Sequence, residues 1–384
     1  MSAKRPGYDV VLYLPRLAPL LAVNDAGATG GAETQVMLVA RALAAQGLRV
    51  CLCTFDLPDA DIPCEVDGID IVTREQYVRG GTVARLREAA ALVHDLVALD
   101  ARVYVTRVAG FHVGLVGLAA RLRRRRFVYS AAHVADFDFR KLSPTLRDRM
   151  LHRAGLALAH HIVVQTDEQA RLAAQRVHRR ATVIRNMVEP VEARSDEAGK
   201  TFLWIGRAVW YKAPLAYVEL ARAVPEARFL AVCAPGVGAD DLTMQFLEAA
   251  AEVVNLEVLG PRPRRELLPL LEHAVAIVNT SVFEGMPNAT LEGWARGIPA
   301  LTLSHDPDGL VERRGLGVFA RDSWEDFVDG ARRLWNDRGQ NNELRQRCRA
   351  YVQEEHEADA LARRWIEVLL PATANASPAL VEVS

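Results

Sequence analysis

The chain has 384 residues, half of them hydrophobic and a quarter charged, with a formal net charge of −1. This is the globular average, in a length that suits two domains of ordinary size. No apolar run approaches the roughly 20 residues a membrane-spanning helix needs. The start, MSAKRPGYDV, runs straight into a strand pattern without a signal peptide, which predicts a cytoplasmic protein. The cysteines are five, Cys51, Cys53, Cys64, Cys233 and Cys348. Cys51 and Cys53 share one strand face, and no second pair has zinc-ligand spacing, so the pattern predicts buried thiols in a reducing compartment.

In chain order, Tyr8–Leu14 reads as a first strand. The loop that follows runs into GATGGAE and opens a helix over Ala32–Gln46, with Val36, Val39, Ala40 and Leu43 on its apolar face. Gly47 ends that helix and Leu48–Thr54 is the next strand. The loop is not GxGxxG, so it does not specify a dinucleotide fold. Gly30 and Gly31 either place bare backbone N–H groups at the helix start, near a phosphate or sugar, or simply make a tight turn. Strands at Ile69–Thr73, Arg102–Thr106, Phe127–Ser130 and His161–Gln165 then alternate with helices at Gly81–Ala98, Gly110–Arg123, Pro144–Ala159 and Asp167–Arg176. Such alternation predicts a mostly parallel sheet covered on both faces.

The composition turns polar and acidic at Glu189–Lys200, a predicted interdomain linker. A second alternation follows, with strands Thr201–Ile205, Arg228–Cys233, Leu256–Leu259 and Ala274–Val278 and helices Leu215–Val224, Asp240–Glu252 and Arg265–His273. After the last of these strands comes SVFEGMPNATLEGWARGIP, Ser281–Pro299. Its helix carries Leu291, Trp294 and Ala295, starts with Pro287 at the first helical position, and stops at Gly297. Glu284 and Glu292 sit eight apart across that helix start. Trp204, Phe202 and Trp294 read as core. Short strands at Ala300–Ser304 and Gly317–Phe319 and helices at Ser323–Asn336 and Asn342–Ala362 complete the domain, and an amphipathic segment through Leu370 precedes a loose tail. The predicted fold class is α/β, two Rossmann-like doubly wound domains, with boundaries at 1–190, 191–355 and a C-terminal segment 356–384 returning to the first domain.

Charge is unevenly shared. Residues 1–190 hold 26 Lys+Arg and 19 Asp+Glu, and residues 191–384 hold 21 and 29. The basic half concentrates arginine at Arg121 and Arg123–Arg126, with Arg140, Lys141, Arg147, Arg149 and Arg153 downstream. That run reads either as a face for anionic lipid or an anionic acceptor, or as a solvated helix end. No aromatic residues interleave with it, which argues against nucleic acid.

GATGGAET, VIRNMVEP, FLWIGRAVWYKAP and FEGMPNATLEGWARGIPAL together resemble one family across nearly the whole chain. They are similar to the retaining GT-B glycosyltransferases of family 4, also called glycosyl transferases group 1, whose two domains face a cleft. The last stretch matches the family's E-x7-E signature. The resemblance implies transfer of a sugar, of hexosyltransferase type, from a nucleotide-diphosphate donor (UDP- or GDP-sugar) to an acceptor hydroxyl with retention, in surface polysaccharide, glycolipid or related glycan synthesis. It puts Arg207 and Lys212, beside Gly206, on the diphosphate, where a metal-independent enzyme needs cations against the leaving charge. It puts Glu292 on the ribose hydroxyls and Glu284 near the donor sugar or the reacting centre. The backbone of Gly285, Met286, Pro287 and Asn288 holds sugar hydroxyls, and Thr290 lies close to the phosphate. Gly31 approaches the donor from the first domain, and His133, after a strand end, contacts the donor sugar.

No metal or other cofactor is implied beyond the nucleotide-sugar donor. Asp136-Phe137-Asp138 and Asp306-Pro307-Asp308 both read D-x-D, a metal-holding pattern in other transferases, but neither belongs to this motif set. A glycan or lipid-linked acceptor is the expected partner, with the inner membrane face reached through Arg121–Arg126 and no nucleic acid. Two rival readings are a non-catalytic nucleotide-sugar-binding subunit of a glycosylation complex and another GT-B enzyme such as a nucleotide-sugar epimerase.

Overall fold

A computed structural model describes residues 7–22, 30–58, 60–75, 81–138, 145–191, 199–236 and 241–371. Gly27, Ala28 and Thr29 of the glycine-rich loop, Arg140, Lys141 and the tail beyond residue 371 lie outside the described residues, as does most of the linker. The chain divides into unit 1, Met1–Met187 with Ala358–Ser384, and unit 2, Val188–Glu357.

Unit 1 is built on β1 (Tyr8–Tyr13), β2 (Val50–Phe55), β3 (Glu65–Val66), β4 (Ile69–Arg74), β5 (Ala101–Arg107), β6 (Arg126–Ser130), β7 (His161–Val164) and β8 (Thr182–Val183), in the order β3-β4-β2-β1-β5-β6-β7-β8. All neighbours are parallel except β3 and β4, a hairpin missed in the sequence because β3 is only two residues long. Its turn uses positive φ at Asp67 and Gly68. Side chains alternate across the sheet, as the two-residue strand period requires. Val10, Leu12, Leu52 and Val103 bury against the helices Gly31–Ala45 and Ala358–Leu369. Val11, Tyr13, Cys51, Cys53 and Tyr104 bury against Thr82–Leu99 and His112–Leu122. The helices His112–Leu122 and Leu146–Leu158 meet backbone to backbone, since a Cβ on Gly155 would fall 2.6 Å or less from the backbone of Val113 and Gly114.

Unit 2 carries β9 (Thr201–Arg207), β10 (Phe229–Ala234), β11 (Leu256–Leu259), β12 (Ala274–Asn279), β13 (Ala300–Thr302) and β14 (Gly317–Phe319), all parallel in the order β11-β10-β9-β12-β13-β14. The order reverses between β9 and β12, and a doubly wound sheet opens its binding crevice beyond the strand ends at that point. Phe202, Trp204, Tyr217, Phe229 and Phe246 fill one side of the sheet. Two of these place their polar atoms: Trp204 Nε1 donates to Thr280 Oγ1 at 3.1 Å, and Tyr217 Oη to the Phe202 carbonyl at 2.8 Å.

Three sequence expectations change. Pro287 is the N-cap of the helix Asn288–Ala295, one residue ahead of its first turn. The single helix expected over Asn342–Ala362 is two, Asn342–Glu355 and Ala358–Leu369, because the chain leaves unit 2 at Glu357 and the second helix belongs to the core of unit 1. Cys51, Cys53, Cys233 and Cys348 are buried, but Cys64 is exposed, lying just before the short edge strand β3. Burial pushes the Cys53 thiol up to about 12. Among the described residues no helix is long and apolar enough to cross a membrane.

Candidate active site

In unit 2 the sequence-predicted residues converge beyond the ends of β9 and β12. Gly206 and Arg207 finish β9, and the Arg207 side chain is exposed. The chain then turns through Trp210–Lys212 and Ala213, whose positive φ of 42° redirects it into the helix starting at Pro214. This turn is bonded to the loop after β12: Thr280 Oγ1 donates to the Lys212 carbonyl at 2.6 Å, and the Val282 N–H to the Tyr211 carbonyl at 2.8 Å. Tyr211 and Phe283 stack with centroids 5.4 Å apart. Two loops far apart in sequence are thereby fixed as one wall.

That wall pairs the two main candidates. Lys212 Nζ donates to Glu284 Oε1, and Ser281 Oγ donates to the same oxygen at 2.6 Å. Burial alone would raise the Glu284 carboxyl. The Lys212 ammonium overrides it, with the Ser281 hydrogen bond and the charge of His305 adding to the effect, and holds the carboxyl below its ordinary value. His305 Nε2 lies 3.2 Å from the Gly285 carbonyl, tying the loop to the segment after β13.

Glu292 is on the second turn of the helix Asn288–Ala295, 9% exposed, with Thr290 and Met286 also buried. Pro287 supplies no side-chain cap, and the positive end of the helix dipole points out of this start. The sequence reading missed the partner of Glu292. Arg264 Nη1 donates to Glu292 Oε1 at 2.5 Å, while its Nε and Nη2 reach Glu189 Oε2 at 3.3 and 3.2 Å. Burial would lower the Arg264 pKa, but the two carboxylates raise it above the ordinary value. Arg296 donates to the Glu292 carbonyl at 3.1 Å. The one available sequence signal was the basic run Arg262–Arg265 at a helix start, where the dipole disfavours cations.

Unit 1 holds Gly30, Gly31 and His133. Gly30 is the extended N-cap of the helix Gly31–Ala45, and a Cβ there would collide with the Glu33 carboxylate. His133 follows β6 and caps the turn Val134–Phe137. Its Nδ1 accepts the Ala135 N–H at 3.1 Å, which assigns the ring proton to Nε2 in the neutral form. Arg107, at the end of β5, escaped the sequence reading. It is buried and donates to Ser130 Oγ at 2.7 Å and Asn186 Oδ1 at 3.2 Å. Burial lowers its pKa to about 10, so it remains charged at neutral pH.

Both D-x-D pairs have structural partners. Asp136 accepts from Tyr129 Oη at 2.9 Å and the Ala132 N–H at 2.6 Å, and Asp138 pairs with Arg176 at 2.8 Å. Asp306 accepts from the Val311 and Glu312 N–H groups. Among the described residues no group of three or more His, Cys, Asp or Glu is placed to hold a metal.

Two Rossmann-like units, the second with this cationic and acidic cluster at its switch point, have the architecture of the GT-B class. The Glycosyl transferase 4-like domain family matches residues 30–187, and the Glycosyl transferases group 1 family matches residues 199–337. The chain is a glycosyltransferase of the GT-B class, built from one domain of each kind. Solved structures agree in fold. Sucrose-phosphate synthase from Thermosynechococcus elongatus is similar with a TM-score of 0.75 at 17% identity, over 95% of this chain and 98% of its own. HepE of Anabaena, solved with UDP and glucose, has a TM-score of 0.67 at 13% identity, over 94% and 99% of the two chains. The lipopolysaccharide outer core galactosyltransferase WaaB has 0.64 at 12%, over 94% and 98%.

Proposed function

We propose that this glycosyltransferase moves a hexose from a UDP- or GDP-sugar to an acceptor hydroxyl with retention, as a family 4 enzyme. The observation that carries the reading is the Lys212–Glu284–Ser281 cluster, set beside Arg207 and the start of the helix Asn288–Ala295. A donor diphosphate placed there meets one guanidinium, one ammonium and the positive end of a helix, the donors a leaving diphosphate requires. Lys212 spends one N–H on Glu284 and keeps two for phosphate oxygens. Glu284 holds that ammonium in place and lies near the donor sugar. Glu292 accepts the ribose hydroxyls, and Arg264 orients it. Thr290 and the backbone of Gly285–Asn288 complete the donor site. Gly30, Gly31 and His133 are assigned to the donor by their motifs. The solved complex of HepE with UDP and glucose supports a nucleotide-sugar donor in this fold.

In the reaction the bond from the anomeric carbon to the diphosphate oxygen breaks, and the acceptor oxygen bonds to that carbon on the same face. The departing phosphate takes the acceptor proton. Unit 2 is the donor-binding unit and unit 1 the acceptor-binding unit, acting on a glycan or lipid-linked acceptor at the cytoplasmic side. NMR of the anomeric proton during turnover of an α-linked UDP- or GDP-sugar, in excess EDTA, tests this. An α product formed without metal is expected. A β product, or a donor that binds and is never consumed, contradicts it.

A further inference from the structure

We propose that Asn279, the last residue of β12, is a positioning residue for the sugar transfer, acting through Ser281 on the Lys212–Glu284 pair. Its consequence for turnover rests on the reading above; the positioning itself stands on contacts within unit 2. Asn279 Oδ1 accepts the Ser281 N–H at 2.9 Å, an Asx turn that carries the chain off the strand end. That turn holds Ser281, which is buried, and Ser281 Oγ donates to Glu284 Oε1 at 2.6 Å, the oxygen that also accepts from Lys212 Nζ. Between them Thr280 Oγ1 accepts from Trp204 Nε1 and donates to the Lys212 carbonyl. Successive residues therefore fix both members of the pair. Thr280 holds the backbone of Lys212, and Asn279, through Ser281, holds the carboxylate of Glu284.

Packing alone would not select an asparagine here. The rest of β12, Ala274-Val275-Ala276-Ile277-Val278, is apolar, and the whole strand is buried. Asn279 pairs in register with Thr302 at the end of β13, as Ile277 pairs with Ala300. By strand alternation both polar side chains share the face of Ile277 and Ala300, on which Gly293 of the helix Asn288–Ala295 packs. Accepting from Ser281 sets the orientation of the amide and leaves Nδ2 as a donor. Neither Asn279 Nδ2 nor Thr302 Oγ1 has a hydrogen-bond partner among the described residues. A buried amide with an unmet donor costs stability, and such exceptions gather at functional sites.

The service this residue renders is orientation. Lys212 has an ammonium with one N–H on Glu284, and the direction of the other two follows from where that carboxylate is held. A carboxylate left to turn would carry the ammonium away from the diphosphate, and leaving-group charge is met by donors already in place. Asn279 lies behind Ser281, so its effect falls on the step in which the diphosphate charge develops rather than on donor affinity.

Steady-state kinetics of Asn279→Leu, a substitution close in volume, test this with the nucleotide-sugar donor varied. A roughly tenfold fall in kcat with the donor KM within about twofold is expected from the loss of one positioning hydrogen bond. Asn279→Ser, whose hydroxyl can still accept the Ser281 N–H, should restore part of the rate. The double variant Asn279→Leu, Ser281→Ala should be no slower than Ser281→Ala alone, since both changes break one relay. Wild-type kcat in Asn279→Leu, a rise in KM alone, or losses that multiply in the double variant overturn the assignment. If Asn279→Leu does not fold, Asn279→Ala takes its place under the same criteria. A second readout needs no turnover. Burial raises the Glu284 carboxyl, while Lys212, the Ser281 hydrogen bond and His305 hold it down. In a carbon NMR titration of the glutamate side chains of the full chain, the Glu284 resonance is identified by its loss in Glu284→Gln. Asn279→Leu and Ser281→Ala should raise its midpoint by the same amount, and an unmoved midpoint in Asn279→Leu overturns the positioning. If the wild type neither binds nor consumes any nucleotide sugar, the donor reading falls, and this titration alone decides on Asn279.

Discussion

Lys212 and Glu284 are partners, and that changes what their substitution does. From the motif alone, Lys212→Ala should weaken the donor site and spare the fold. In the structure the ammonium neutralises a buried carboxylate, so Lys212→Met leaves Glu284 uncompensated and should cost about 3–5 kcal/mol in denaturant unfolding. The double variant Lys212→Met, Glu284→Gln should recover most of that loss without recovering turnover. The sign of the pH dependence follows from the same pair. A carboxyl held below its ordinary value contributes stability above that value and loses it as the pH falls through the folded-state value. The stability difference between wild type and Glu284→Gln should be flat at neutral pH and shrink on acidification. Arg264 acts on Glu292 alone among the proposed ligands. Arg264→Gln should raise the donor KM roughly tenfold with a smaller change in kcat, a loss of charge-assisted positioning worth about 1.4 kcal/mol. Arg264→Lys should restore part of it. The motif residues were legible because E-x7-E and GR…K fix side-chain types at set distances in sequence. Arg264, Ser281 and His305 were not legible, because their roles come from contacts between loops 20 or more residues apart, or from a serine that any loop could carry.

At the scale of elements, most strands and helices followed from apolar periodicity and glycine stops. The stop at Gly297 is a case where the residue type is required. Its φ is +74°, the Ile298 N–H closes back on the Gly293 carbonyl at 2.8 Å, and a Cβ would meet Arg349 Nη1 at 2.5 Å and the Arg345 carbonyl at 3.1 Å. Gly297→Ala should cost about 1–2 kcal/mol in thermal or urea unfolding, from left-handed backbone strain and that crowding. Because the helix so ended carries Thr290 and Glu292, donor affinity should fall with it. What periodicity did not show was the break at His356–Glu357. Both flanking segments are helical by pattern, and only tertiary packing assigns one to unit 2 and the other to unit 1.

At the scale of the molecule the chain crosses between units twice, after Met187 and after Glu357. The last described helix completes the core of unit 1: Leu361, Ala362, Trp365 and Leu369 pack with Val36, Val39 and Leu43. Trp365→Ala should therefore cost about 3–5 kcal/mol in unit 1 and leave nucleotide binding by unit 2 intact, resolved by unfolding with and without UDP. The central claim is that unit 2 holds a nucleotide-sugar donor through Lys212 and Glu292. A thermal-shift screen of wild type and Glu292→Gln against UDP-, GDP-, ADP- and TDP-sugars tests it most directly. A UDP- or GDP-sugar at about 100 times its Kd should raise the wild-type melting temperature by roughly 5–10 °C. The shift should collapse in Glu292→Gln. No shift with any nucleotide sugar, or an equal shift in the variant, would contradict the account.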